Sequence, residues 1–311
     1  MNKTEQTPNK PLPPYYDGIS ASLGSTIAIV ILQPFDLLKV RLQGSGFGKV
    51  SGTSVQKESL VGVFKNILKN EGVAQFWRGV GPTVLANGIA WGAYMHFYET
   101  FKNMVKEKQG VDQLSSKVHF MCGIAAGASQ VFITNPIFLI KTRMQLQKPG
   151  AESYYTSFYD GVKKTVAREG YRGLYKGVVP ALWLTSHGGI QMSAYEEIKL
   201  HFAKSSNKSL SNLTTTEIFI ASSISKLIAS TVLYPFQTIK TRLQDERNIV
   251  TKEDQRVYRG TADVAKKILK HEGLIGFYRG FIPNTLKVIP NSSITLLAYE
   301  EIKKLFQNAN N

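Results

Sequence analysis

One pattern is written into this chain three times. Pro34, Asp36, Lys39, Arg41 and Gln43 stand at intervals that recur as Pro136, Phe138, Lys141, Arg143 and Gln145, and again as Pro235, Gln237, Lys240, Arg242 and Gln244. The copies lie about a hundred residues apart, so the chain is an array of three like units rather than one domain with a motif in it. A second landmark follows each copy: Glu71-Gly72 then Arg78-Gly79, Glu169-Gly170 then Lys176-Gly177, and Glu272-Gly273 then Arg279-Gly280. A third closes each unit, as Tyr98-Glu99 with Lys102, Tyr195-Glu196 with Lys199, and Tyr299-Glu300 with Lys303.

The units read as pairs of helices. Asp17 to Leu42 is rich in small and branched apolar residues, and Gly18, Ser22 and Gly24 let a neighbouring helix come close. Pro34 sits inside it, where it removes one backbone hydrogen bond. Residues 44–59 read as a glycine- and serine-rich loop, and Leu60 to Asn70 as a short amphipathic helix suited to a membrane surface. A second span is expected from Val80 to Lys106, followed by a short charged loop, and both later units repeat the plan. Gly123 and Gly127 form a Gly-x-x-x-Gly arrangement ahead of Pro136. The second unit departs in one respect: Gly177 to Tyr195 is eighteen residues, whereas Gly79 to Tyr98 and Gly280 to Tyr299 are nineteen.

Mean hydropathy, at −0.13, would favour a soluble protein. The repeat pattern outweighs it, because helices that line a water-filled path keep a polar face. The net charge of +16 admits nucleic acid, an anionic membrane surface or an anionic solute. Lysines and arginines are spread through all three units with no compact basic helix and no zinc-ligand set, which argues against nucleic acid. Cys122 is the single cysteine, so no intramolecular disulfide forms. His96, His119, His187, His201 and His271 show no metal-ligand or triad spacing, so nothing points to an enzyme, a metal or a resident cofactor. Gly46, Gly48 and Lys49 lack the spacing of a phosphate-binding loop. The Asn-x-Ser/Thr matches at Asn207, Asn212 and Asn291 are too short to signify. The first fourteen residues have neither an apolar core nor arginine and read as a disordered tail.

The nine ordered landmarks resemble those of the mitochondrial carrier family over nearly the whole chain. The resemblance implies an all-α membrane protein: six transmembrane helices in three tandem repeats, at 15–107, 115–204 and 213–307, forming a pseudo-threefold helical barrel with short matrix-side amphipathic helices. It implies an inner-membrane, multi-pass transporter that works as a monomer among lipids, with cardiolipin attracted by the basic matrix face. Alternating access then needs a reversible gate at each end. At the matrix end the resemblance assigns Asp36, Lys39, Phe138, Lys141, Gln237 and Lys240 to the gate, braced by Gln43, Gln145 and Gln244. Phe138 and Gln237 stand where acids are expected, so Asp36 alone is left to form an ion pair there, and the matrix gate is expected to be the weaker. The cytoplasmic gate keeps every member: Glu99, Lys102, Glu196, Lys199, Glu300 and Lys303.

By position along the even-numbered helices, the resemblance places substrate contacts on Ala86 and Asn87, on Leu184 and Thr185, and on Lys287. Lys226 and Lys287 are suited to pair an anion, His187, Gln191 and Asn87 to hydrogen-bond a heteroaromatic edge, and Trp91 or Phe138 to stack on a ring. Plain packing remains the other reading for His187, Trp91 and Phe138. The stretches around Trp91, Asn135, His187, Lys226 and Thr295 look most like folate and FAD carriers, so FAD or folate is expected as transported cargo. NAD, pyrimidine nucleotide and peroxisomal nucleotide carriers of the same build are the alternatives.

Overall fold

The computed structural model describes residues 14–44, 59–110, 114–150, 154–205, 213–245 and 258–309. Most of the expected tail, most of the 44–59 loop with Gly46, Gly48 and Lys49, and Asn207 and Asn212 lie outside the described residues.

Helix α1 spans Pro14–Gly44 and α2 Leu60–Asn70, and α3 runs over Val80–Gln109. In the second unit these become α4, Ser116–Leu146, and α5, Phe158–Glu169, followed by a split span made of α6, Val178–Trp183, and α7, His187–Ser205. The third unit is α8, Thr215–Gln244, α9, Thr261–Glu272, and α10, Phe281–Ala309. Helix α1 begins three residues before the expected Asp17, because Pro14 is well tolerated in a first helical turn, where its missing N–H costs nothing. Among the described residues there is no strand. The all-α, three-repeat architecture stands as expected.

By length and composition α1, α4 and α8 are apolar enough to cross a membrane. Their partners α3, α6 with α7, and α10 are more polar, as befits helices bordering a wet cavity. The proline-bearing helices run on unbroken through Pro34, Pro136 and Pro235. A helical proline deprives the carbonyl four residues earlier of its partner. For Pro34 that carbonyl belongs to Val30, and the Trp77 indole Nε1 donates to it at 3.0 Å. The ring next to the second landmark therefore repairs the bond that the first landmark removes.

Residues just before the prolines tie the same two landmarks together. Gln33 donates to the Arg78 carbonyl at 3.0 Å, Asn135 to Leu174 at 2.9 Å, and Tyr234 to Arg279 at 3.0 Å. The amphipathic helices pack on the lower halves of the proline helices. Leu37, Leu38 and Leu42 meet Val63, Ile67 and Phe76; Leu139, Ile140 and Met144 meet Tyr155 and Leu174; Ile239 meets Val264 and Ile268. Ser59 and Ser157 cap α2 and α5, each accepting from a backbone N–H three residues on.

The missing residue of the second unit is absorbed by a 3₁₀ turn at Leu184–Ser186, between α6 and α7. Three residues rising about 2.0 Å each advance the chain as far as four rising about 1.5 Å. The span keeps its length with one residue fewer.

Helices pack along their length across unit boundaries: α1 with α10, α3 with α4, and α7 with α8. A Cβ on Gly24 would stand 2.9 Å from the Thr295 carbonyl oxygen and 3.0 Å from the Tyr299 nitrogen, so α1 and α10 touch backbone to backbone there. Gly18, expected to serve the same end, does not: a Cβ added to it would meet nothing within 4 Å.

Candidate functional site

The C-terminal parts of α1, α4 and α8 converge around Asp36, which is 4% exposed. Its Oδ2 accepts from Lys141 Nζ at 2.6 Å and from Gln145 Nε2 at 3.0 Å, and its Oδ1 accepts from Lys287 Nζ at 2.5 Å. The expected pair between the first and second repeats is formed, and Gln145 braces it. Lys39 donates to the neutral Oε1 of Gln237 at 2.7 Å, and Lys240 Nζ lies 5.1 Å from the centre of the Phe138 ring. Both substituted positions are thus in contact with the lysines whose acid partners they replace. Gln43 and Gln244 accept from Thr241 and Thr142 at 2.8 and 3.0 Å, so each glutamine links two repeats.

A further ring of charge lies just below, and the repeat pattern alone did not reveal its role. Arg41 pairs with Glu71 at 2.8 Å, Arg143 with Glu169 at 2.5 Å and Arg242 with Glu272 at 2.5 Å. The same guanidiniums reach the next repeat: Arg41 donates to the Gln145 carbonyl, Arg143 to Gln244 at 3.1 Å and Arg242 to Gln43 at 3.1 Å. The signal was present in the spacing, since each arginine precedes a gate glutamine by two and each glutamate precedes a glycine. A buried arginine with a two-pronged carboxylate partner is a strong, geometry-specific contact. Gly280, at φ +79°, lets this layer close: a Cβ there would lie 2.8 Å from the Lys39 carbonyl oxygen.

The opposite end is arranged differently. Lys102 pairs with Glu99 at 2.5 Å within its own helix, and Lys199 lies 5.1 Å over the Tyr195 ring. Lys303 pairs with Asp17 of α1 at 2.7 Å, and the Tyr299 hydroxyl donates to the same carboxylate at 2.9 Å. Among the described residues, Glu99, Glu196 and Glu300 reach no lysine of another repeat. One end is bonded across all three repeats, while at the other the cross-repeat ion pair among the described residues is the one between Lys303 and Asp17.

Between the ends lies a cavity of about 1030 Å³ bordered by α3, α4 and α7, with Tyr94, Gly127, Gln130 and Thr185 on its wall. A smaller one of about 170 Å³, nearer the gate, shares Gln130 and Thr185 and adds Thr134, Phe138, Leu184 and Lys240. Leu184 and Thr185 therefore line open space, and the Thr185 hydroxyl donates to Leu182 of its own helix at 2.7 Å. Asn87 is half-buried and donates to Thr83 at 2.8 Å, whereas Ala86 is wholly buried and presents no surface. Trp91 is 66% exposed and meets the Tyr94 ring edge-on. His187 and Gln191 are half-buried, and Lys226 donates to Ser292 at 2.9 Å. Lys287, expected at the midplane, reaches down to Asp36.

A family model described as mitochondrial carrier protein matches residues 10–109, 112–206 and 211–310. The chain belongs to the mitochondrial carrier family. This carrier is 66% identical to mitochondrial substrate carrier family protein M of Dictyostelium discoideum over 93% of its own length and 95% of the relative's. It is 35% identical to nicotinamide adenine dinucleotide transporter 2, mitochondrial, of Arabidopsis thaliana, over 93% and 79% respectively. It is 32% identical to mitochondrial FAD carrier protein FLX1 of Saccharomyces cerevisiae, over 92% and 95%. Members of this family are transporters, so the carrier moves a small molecule across a membrane.

Proposed function

We propose that the carrier moves FAD or folate across the mitochondrial inner membrane by alternating access, as a monomer. The observation that carries the reading is the lysine set facing the interior. Lys287 and Lys141 share one aspartate, while Lys39, Lys240 and Lys226 are held by a neutral amide, a ring and a hydroxyl. Such a set suits a cargo with several negative charges. The flat ring of a flavin or pterin suits the half-buried polar edge of Asn87, His187 and Gln191 and the aromatic face of Trp91 or Phe138. The relative named as an FAD carrier supports this cargo, and the relative named as a dinucleotide transporter supports NAD to a similar degree. Cardiolipin is proposed as a bound lipid at the matrix side, where Lys176 and Arg259 flank the first turns of α6 and α9 around a cavity of about 300 Å³.

The test is uptake of FAD, folate and NAD into liposomes holding the purified carrier, with Lys287→Ala beside it. Uptake of FAD or folate that the variant loses is the expected result. Uptake of NAD alone moves the carrier to the second cargo, and uptake of none of the three overturns the assignment of cargo.

A further inference from the structure

The matrix gate lacks two of its three acids, because Phe138 and Gln237 occupy their places. The lysines that would have faced those acids remain, and their surroundings are neutral. Lys39 is bonded to an amide oxygen and Lys240 rests against a ring. Among the described residues, neither has a carboxylate within ion-pairing distance. The one acid, Asp36, is already shared by Lys141 and Lys287. Four lysines against one aspartate leave a formal excess of three positive charges (four minus one) in this layer of the bundle. Withdrawing ammonium groups from water without a counter-charge is unfavourable, and their mutual repulsion opposes closure. The 170 Å³ cavity opens directly onto Lys240 and the Phe138 ring and is joined by the hydroxyl-bearing Thr134 and Thr185.

We infer that Lys39 and Lys240 form an oxyanion subsite, taking a phosphate or carboxylate group of the cargo in place of the carboxylates missing at 138 and 237. The cargo then completes the gate that it must pass. The subsite is centred on Lys39 and Lys240, which among the described residues hold no carboxylate, rather than on Lys141 and Lys287, which share Asp36. The inference rests on the transport reading for the identity of the anion, whereas the subsite is testable without transport.

Sodium pyrophosphate is the probe, titrated into the purified full-length carrier while its melting temperature is followed, with sodium chloride at matched ionic strength beside it. A ligand that binds only the folded state raises the melting temperature with concentration. Pyrophosphate, and not chloride, is expected to do so. Lys39→Gln and Lys240→Gln are each expected to weaken the fitted affinity about tenfold, equivalent to about 1.4 kcal/mol. Gln237→Glu supplies a fixed carboxylate, so it is expected to raise the melting temperature without pyrophosphate and to shrink the shift that pyrophosphate gives. An equal shift with chloride overturns the inference. So does a shift unchanged in both lysine variants, or one lost only in Lys287→Ala, which would place the anion on the lysine beside Asp36 instead. A failure here with uptake intact removes the subsite and leaves the transport reading. A failure of uptake with the shift intact does the reverse.

Discussion

Lys287 Nζ lies 2.5 Å from Asp36 Oδ1, across 251 residues of chain. A lysine from the last helix is therefore bonded to the gate acid of the first. Removing one partner of a buried ion pair typically costs about 3–5 kcal/mol, because the other charge is left uncompensated. Asp36→Asn is expected to lower the melting temperature and to cut transport at least about tenfold. Asp36→Asn combined with Lys287→Gln is expected to lose less than the sum of the two single changes, and a double-mutant cycle on melting temperature checks the coupling.

Phe138→Asp places a carboxylate beside Lys240, which now rests on the ring 5.1 Å away. The added ion pair strengthens the closed matrix gate, so the initial rate of uptake is expected to fall. A rate equal to or above that of the unaltered carrier would show that the gate does not limit turnover.

Glu169 bonds Arg143 at 2.5 Å and Lys176 at 2.7 Å. Burial by itself would raise the Glu169 carboxyl, but the Arg143 and Lys176 contacts outweigh it and hold the group below its ordinary value. A carboxyl whose folded value is depressed stabilises the protein above its unfolded value, about 4.3, and loses that contribution as pH falls through the folded value. The melting temperature of Glu169→Gln is expected to lie below that of the unaltered carrier at pH 7, and the gap is expected to close as pH falls below about 4. A gap independent of pH would assign the effect to packing.

Gly24 carries the contact between α1 and α10, where a Cβ would lie 2.9 Å from backbone oxygen. Backbone cannot swing aside as a side chain does. Gly24→Ala is expected to cost about 1–3 kcal/mol by overpacking, whereas Gly18→Ala, with open space around it, is expected to leave the melting temperature unchanged.

The helices and their order were legible because each unit repeats a proline, a glycine pair and a closing tyrosine at fixed spacing. The Asp36 to Lys141 pair was legible through the family resemblance, which sets the acid of one repeat against the lysine of the next. Lys287 on Asp36 escaped it because Lys287 stands outside the gate positions and was assigned to the midplane. Asp17 escaped as the partner of Lys303 because it stands outside every landmark. The shortened second unit was visible in the residue count, but its outcome was not. A count does not say whether a helix shifts register or tightens, and the 3₁₀ turn at Leu184–Ser186 shows that it tightens.

Chain order and packing order are out of step by one helix, since α3 packs on α4, α7 on α8, and α10 returns to α1. During synthesis α1 is thus made well before α10, the helix along which it packs most extensively. Until α10 is made, α1 holds Asp36 without Lys287 and Asp17 without Lys303. Closure of the ring belongs to α10, and without it α1 would be left with an open seam, however well the other helices had folded.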